Sequence, residues 1–334
     1  MGGNALKNHN VVRLNAIDYH LLKTELLTKL YQKLPDNDWI VIPSYNNKES
    51  FGDIDILYSG NISFKVLLSI FKKNIYIKNG PVISIAYDYC GKLFQVDLIR
   101  IPEEYQEFAL RYFSFNDLSN IMGRIFRALG LKLAHDGLRY TLRNPDNSNH
   151  IIKQLLITTD WNFVIELGNF PNYFDYEFNE LEDVFRYVSE SKYFNKDIFL
   201  LENRNHISRT RDRKRTTYMK FLLWINNTPN LPNFGWSNKS NIREETLELC
   251  LEQFPEFKKE YYGALERHQY IQKLKEKYNG NLIGEWTRLE GKELGTFIKY
   301  LGMIIEERYI EHNSIEDIKI LVQKLYIDYL RKGN

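Results

Sequence analysis

Three aspartates are the residues of this chain whose types and spacing could do chemistry. Asp53 and Asp55 stand two residues apart in Gly52–Tyr58, where polar and apolar residues alternate as in a half-buried strand. Asp97 lies in a second apolar segment, Phe94–Ile99. If the two strands pair, three carboxylates converge with no base in either segment, which favours a divalent cation such as Mg²⁺ between them. The pattern alone leaves a plainer reading open, namely aspartates on the solvated face of an amphipathic sheet.

The elements that must position these aspartates form an α+β pattern. Leucines recur at helical spacing from Leu21 to Leu34, and Asp18 is a candidate N-cap for that helix. Further segments are predicted as strands at 39–42, 52–58, 82–89 and 92–101 and as helices at 64–73 and from 116 onward. The last two strands join at Cys90–Gly91 in a predicted hairpin. We therefore expect a mixed sheet with flanking helices.

The C-terminal half is predicted to be mostly helical. Helical periodicity dominates from Glu244 to the end, with interruptions at Asn279–Gly280 and near Gly291. Turn-forming residues cluster near 150 and 230. These breaks predict three domains, 1–150, 151–225 and 226–334, the last a helical accessory domain.

The composition excludes several classes of protein. The 334 residues include 43% hydrophobic and 14% aromatic residues, enough to bury a core, so general disorder is excluded. No run of about 18 apolar residues occurs, which predicts no membrane span and no membrane partner. Two cysteines and seven histidines give no zinc pattern, and they fit a reducing compartment, so the expected location is cytoplasmic. The net charge of +2 implies that any nucleic-acid contact is a local patch.

Several motifs in order resemble the DNA polymerase beta-like nucleotidyltransferases, specifically the family X DNA polymerases. The segment 42–58, IPSYNNKESFGDIDILY, is similar to that family's catalytic loop and strand, and 94–102, FQVDLIRIP, to the strand with its third aspartate. A segment from Tyr112 resembles the family's nucleotide-binding segment, and 137–140 and 182–185 resemble later elements. The resemblance covers about 40–190. It leaves no room before residue 35 for the family's N-terminal lyase domain, so we expect a minimal enzyme.

The resemblance implies a nucleotidyltransferase palm and a set of site residues. It makes Asp53, Asp55 and Asp97 both the catalytic residues and the ligands of two Mg²⁺ ions, which Mn²⁺ could replace. It implies nucleotide binding by a second set of residues: Ser44, Lys48, Gly52, Tyr112, Phe113, Asp117, Asn120 and Arg124. The partners would be a (d)NTP and a DNA primer–template or an RNA 3′-end. The loop departs from the family pattern, since Pro43 replaces a glycine, and Asn46 and Asn47 replace two arginines.

A basic stretch follows the resembling region. Residues 203–215, NRNHISRTRDRKR, contain six bases, which predicts contacts to a nucleic-acid backbone. The candidates are Arg204, Arg209, Arg211, Arg213, Lys214 and Arg215. A solvated helix face or loop is the alternative.

The favoured function is nucleotide transfer to a nucleic-acid 3′-end by a small family X-like DNA polymerase. Residues 289–298 faintly resemble the tail of tRNA CCA-adding enzymes, although an ordinary helix start explains them as well. A template-independent RNA or tRNA nucleotidyltransferase therefore stays open. So do an enzyme that modifies protein or tRNA and an inactive palm used to bind nucleic acid.

Overall fold

The structure is a computed structural model that describes residues 5–71 and 75–331. It contains two compact units. The first comprises the chain up to Thr141 together with Gln154–Phe257, and the second comprises Leu142–Lys153 and the chain from Lys258 onward. The expected domain boundaries near 150 and 225 stay a prediction.

The N-terminal part of the first unit is built on a mixed sheet. Its elements are β1 (Leu14–Asn15), α1 (Ala16–Lys33), β2 (Trp39–Val41), β3 (Ser50–Phe51), β4 (Asp53–Tyr58), α2 (Phe64–Phe71), β5 (Tyr76–Asn79), β6 (Val82–Tyr89) and β7 (Lys92–Arg100). Five strands form one sheet in the order β2-β4-β7-β6-β5. Only β4 and β7 are parallel within it. The expected α+β class is confirmed.

The two faces of this sheet differ because the strands alternate. Ile54, Ile56, Val96 and Leu98 face one way and pack with the buried leucines of α1. Residues 53, 55 and 57 face the other way. On that face Leu57 and Ile99 are buried, whereas the aspartates beside them border a cleft. The apolar residues thus fix the register that turns the aspartates toward the cleft.

Local signals explain the ends of these elements. Asn15 caps α1, because its side-chain oxygen accepts a hydrogen bond from the Asp18 backbone at 2.9 Å; the predicted cap at Asp18 itself is wrong. β6 and β7 form the predicted hairpin, with left-handed Cys90 and Gly91 at its turn. The predicted helix at 64–73 is found as α2, and residues 72 and 73 lie outside the described part.

The rest of the first unit is mainly helical. It contains α3 (Gln106–Phe113), α4 (Leu118–Ala128), β8 (Leu131–Ala134), β9 (Gly137–Asn144), β10 (Asn147–Thr158), α5 (Trp161–Gly168), α6 (Leu181–Ser189), α7 (His206–Arg213), α8 (Thr216–Asn227) and α9 (Lys239–Gln253). The three strands form a second sheet, in the order β10-β9-β8. The hairpin of β9 and β10 carries the chain into the second unit and back.

The second unit is helical apart from that hairpin. Its helices are α10 (Pro255–Lys277), α11 (Gly280–Thr287), α12 (Gly291–Leu301), α13 (Glu307–His312) and α14 (Ile315–Arg331). The predicted breaks at Asn279–Gly280 and Gly291 are confirmed. Asn279 caps α11, and Phe297 in α12 is fully buried in the core of this unit. Residues 289–298 thus have an ordinary structural task. Within the described ranges, no helix has the length and apolarity needed to cross a membrane.

Candidate active site

The central sheet brings the three aspartates together. The parallel register of β4 and β7 places Asp55 beside Asp97. Asp53 lies two residues away on the same face of β4, and one carboxylate oxygen from each aspartate lies within 4.8 Å of the others. The predicted convergence is therefore confirmed. Three carboxylates offer the hard oxygen donors that Mg²⁺ prefers, so the residues present fit a divalent cation.

Burial makes this cluster costly to ionise. Asp97 is 9% exposed, and burial raises its pKa to about 6; the hydrogen bond from Ser84 opposes the increase and Asp53 adds to it. Burial also raises the pKa of Asp55 well above its usual range, and Asp53 and Asp97 add to that shift. The Gln95 side-chain amide donates to both Asp97 oxygens, at 3.0 and 2.9 Å. Positive charge at this position would offset the repulsion.

The raised pKa of Asp97 predicts a pH effect on the metal-free protein. Between pH 3.8, its ordinary pKa, and about 6, the folded state binds more protons than the unfolded state, so wild-type stability falls as pH rises through that window. Asp97→Asn removes this penalty. At pH 7.5 with EDTA, we expect it to raise the free energy of unfolding by up to about 3 kcal/mol, measured by urea denaturation.

Asp38→Asn, which alters a carboxylate in the exposed turn before β2, is the matched control and should leave the urea midpoint unchanged. The curve of stability against pH should also flatten between pH 4 and 6 in Asp97→Asn only. A variant no more stable than wild type at pH 7.5 would contradict the repulsion that we infer for the cluster.

The aspartates open onto a cleft with a basic wall. The cleft has a volume of about 1460 Å³. Four of its bases come from the end of α7 and the start of α8, namely Arg211, Lys214, Arg215 and Lys220. Thr216 and Thr217, the first residues of α8, also line it. A helix N-terminus with bases around it attracts phosphate groups. The cleft thus combines three carboxylates that could hold a cation with a positively charged wall.

The loop between β2 and β4 supplies a second group of cleft residues, which includes Ser44, Lys48 and Gly52. The Ser44 hydroxyl donates to the side-chain oxygen of Asn116 at 3.1 Å, and Lys48 donates to the same oxygen at 3.4 Å. Burial lowers the pKa of Lys48, while Asp53 and Asp55 act in the opposite direction. Ser44 and Lys48 therefore share Asn116 as an acceptor, and both line the cleft.

Asn46 and Asn47 hold this loop in place. The backbone nitrogens of Asn46 and Asn47 donate to the carbonyls of Phe178 and Asn179, both at 2.8 Å. The Asn46 side chain also donates to the Asn179 side-chain oxygen at 2.8 Å. The loop is thereby fixed to the segment before α6, and Lys48 is the base that the loop contributes to the cleft.

The predicted nucleotide-binding residues of the α3–α4 region divide into two groups. Phe113 and Asp117 line the cleft, and Asp117 forms an ion pair with Arg215. Tyr112, Asn120 and Arg124 are not among the residues that line it. Tyr112 contacts the rings of Phe113 and His135, and the buried amide nitrogen of Asn120 has no hydrogen-bond partner among the described residues.

Arg124 is placed differently from its predicted role. Its side chain is buried and pairs with Asp212 of α7, which is fully buried, at 2.5 Å. Arg204 pairs with the same carboxylate at 3.2 Å and donates to the Phe199 carbonyl at 2.9 Å. In this conformation neither Arg124 nor Arg204 lines the aspartate cleft.

The other bases of residues 203–215 also differ in their surroundings. Arg209 donates to the backbone carbonyls of Leu201 and Arg204, at 3.1 and 2.9 Å, so it stabilises the turn before α7. Arg213 is exposed and does not line the cleft. Arg211, Lys214 and Arg215 do line it. Three of the six bases of the stretch therefore line the cleft, and their contact with a nucleic acid stays a prediction.

Some cleft residues were not singled out from the sequence. Tyr19 of α1 stacks on Phe51 with ring centroids 3.7 Å apart, and its pKa is raised by burial and then by Asp55 and Asp53. Arg13 donates to Ser50 from the other side of the loop. Lys220 lies one helical turn beyond Thr216 on α8, and no pattern in the sequence singles it out.

No protein-family model and no curated protein matches this chain.

Proposed function

We propose that this protein is a metal-dependent nucleotidyltransferase that adds a nucleotide from a (d)NTP to the 3′-hydroxyl of a nucleic acid. One observation carries the proposal: a three-aspartate cluster and a basic wall face the same cleft. A triphosphate needs both, because its charge must be neutralised along its length while the reacting phosphate lies at a metal.

Asp53, Asp55 and Asp97 would hold the metal. When bound, a pair of Mg²⁺ ions lowers the pKa of the attacking hydroxyl and neutralises charge on the leaving pyrophosphate. The position of the aspartates on adjacent central strands keeps them rigid, because both strands are anchored by the apolar residues of their opposite face. This rigidity preserves the spacing of the ligands through the reaction.

The other cleft residues bind and orient the substrate. Lys214, Lys220 and the start of α8 would contact the β- and γ-phosphates, and Ser44 and Lys48 would approach them from the loop. The 3′-oxygen forms a bond to the α-phosphorus as the bond from that phosphorus to the bridging oxygen breaks. Pyrophosphate leaves, and the hydroxyl proton passes to Asp97 or to water.

A DNA polymerase is the favoured member of this class. The order and spacing of the motifs from the catalytic loop to Arg124 support it, since they resemble family X and not the superfamily at large. Residues 289–298 pack in the helical core of the second unit, so this segment adds no support for a tRNA substrate.

The test is a primer-extension assay with Mg²⁺ or Mn²⁺, in which a gapped duplex, a single strand and a tRNA are each offered dNTPs and NTPs. We expect template-matched dNTP addition on the gapped duplex, absent in Asp53→Ala. Addition only to the single strand or tRNA would keep a nucleotidyltransferase but overturn the polymerase. No incorporation on any substrate, despite metal binding, would contradict transfer to nucleic acids.

The basic wall gives a separate prediction. Replacing Lys214 and Lys220 together by Gln should weaken (d)NTP binding roughly 10- to 100-fold, because two charge-assisted contacts to phosphate are lost. The affinity is measured by calorimetry with Ca²⁺, so that no turnover occurs. Arg213→Gln removes an exposed charge of α7 outside the cleft lining and is the matched control. Equal affinities for the double variant and the control would argue against the wall as a triphosphate site.

A further inference from the structure

A second cavity lies in the first unit and shares no lining residue with the cleft. Its volume is about 490 Å³, within the size range of small-ligand pockets. Its charged lining residues are five bases and one carboxylate. The bases are Arg124, Arg127, Arg204, Lys239 and Arg243, and the carboxylate belongs to Asp197. Its lining is therefore strongly positive in a protein of nearly balanced charge.

Two of these bases are buried and incompletely paired. Arg124 and Arg204 are 5% and 9% exposed, and both pair with Asp212. Among the described residues, the Nε atom of neither arginine has a hydrogen-bond partner. The Trp236 indole nitrogen, also of a lining residue, is buried without a partner as well. These three nitrogens are closed to solvent, so they leave uncompensated donor groups next to the cavity and not on its open surface.

The positive charges that line the cavity also repel one another. Burial and then Arg204 lower the pKa of Arg124 to about 10, while Asp212 acts in the opposite direction. Burial and then Arg243 lower the pKa of Lys239. A bound anion would relieve both effects, because it supplies negative charge and acceptor oxygens at once.

We propose that this cavity binds a phosphomonoester, either inorganic phosphate or the phosphate of a mononucleotide. Guanidinium groups match phosphate oxygens in geometry. Lys239 stands 5.7 Å from the Trp236 ring centroid, so a base and an aromatic face border the same cavity. The proposal does not depend on the nucleotidyltransferase activity.

The experiment measures binding of inorganic phosphate and of a nucleoside monophosphate by calorimetry, with EDTA present and Asp53→Ala as background. Because the cleft also attracts phosphate, two double variants separate the sites. Arg127→Gln with Lys239→Gln alters the cavity without touching the buried pairs of Asp212. Lys214→Gln with Lys220→Gln alters the cleft.

We expect the cavity variant to lose one phosphate site, with affinity reduced at least roughly tenfold, and the cleft variant to retain it. Tighter binding of the nucleoside monophosphate than of phosphate assigns a nucleotide as the ligand, and equal affinities assign free phosphate. The proposal is overturned if the cavity variant binds phosphate as wild type does, or if only the cleft variant loses binding. This result would stand even if the primer-extension assay showed no nucleotide transfer.

Discussion

Asp55→Asn should abolish nucleotide transfer, with a loss of at least roughly 1000-fold in rate. Asp55 is the central member of the cluster, since Asp53 lies on the same strand and Asp97 directly across from it. The substitution removes one charge and one metal ligand but keeps the size of the side chain. The measurement is single-turnover incorporation at saturating Mg²⁺ on the best substrate of the primer-extension assay.

The same variant separates a chemical defect from a folding defect. Burial and like charges raise the pKa of Asp55, so the amide should not destabilise the metal-free fold. Asp36→Asn, in the exposed turn before β2, is the control and should keep full activity. A folded Asp55→Asn protein within tenfold of wild-type activity would rule out the aspartate cluster as the reaction centre.

The cluster itself could be predicted because it depends on a local pattern. Alternation in 52–58 places Asp53 and Asp55 on one face regardless of the rest of the fold. The pairing with the strand of Asp97 is long-range, and both segments had to be recognised as strands before it could be expected. The short strands β1 and β3, which bring Phe51 against Tyr19, were not predicted because two residues carry no periodic signal.

The number of bases in the basic stretch does not predict where each base lies in the fold. Six bases in thirteen residues predict one positive surface, but the fold assigns neighbouring bases to different surroundings. Arg204 enters the interior because Asp212 and backbone carbonyls receive it, whereas Arg211 and Lys214 border the cleft. Asp212, the single acid of the stretch, decides this division, and its partner Arg124 lies 88 residues away in sequence. No local pattern could have joined them.

That arrangement leads to the second large expected effect. Asp212→Ala should lower the free energy of unfolding by about 3–5 kcal/mol, because two buried guanidinium groups would lose their shared carboxylate. Asp212 is fully buried, and Arg124 and Arg204 are nearly so, which leaves little water to replace the lost charge. Arg204 would keep its bonds to the Ile198 and Phe199 carbonyls, so it would remain inside. Urea denaturation at neutral pH measures the loss.

The neighbouring residue gives the matched control for this test. Arg213→Ala removes an exposed side chain from the same helix and should change stability by less than about 0.5 kcal/mol. If Asp212→Ala also falls within 1 kcal/mol of wild type, the two arginines must reach solvent, and the buried pairing is not what joins α4 to α7. If the variant is destabilised as expected, added phosphate should restore more stability to it than to wild type. That difference follows because the anion would supply negative charge beside the same two guanidinium groups, which in wild type already share the Asp212 carboxylate.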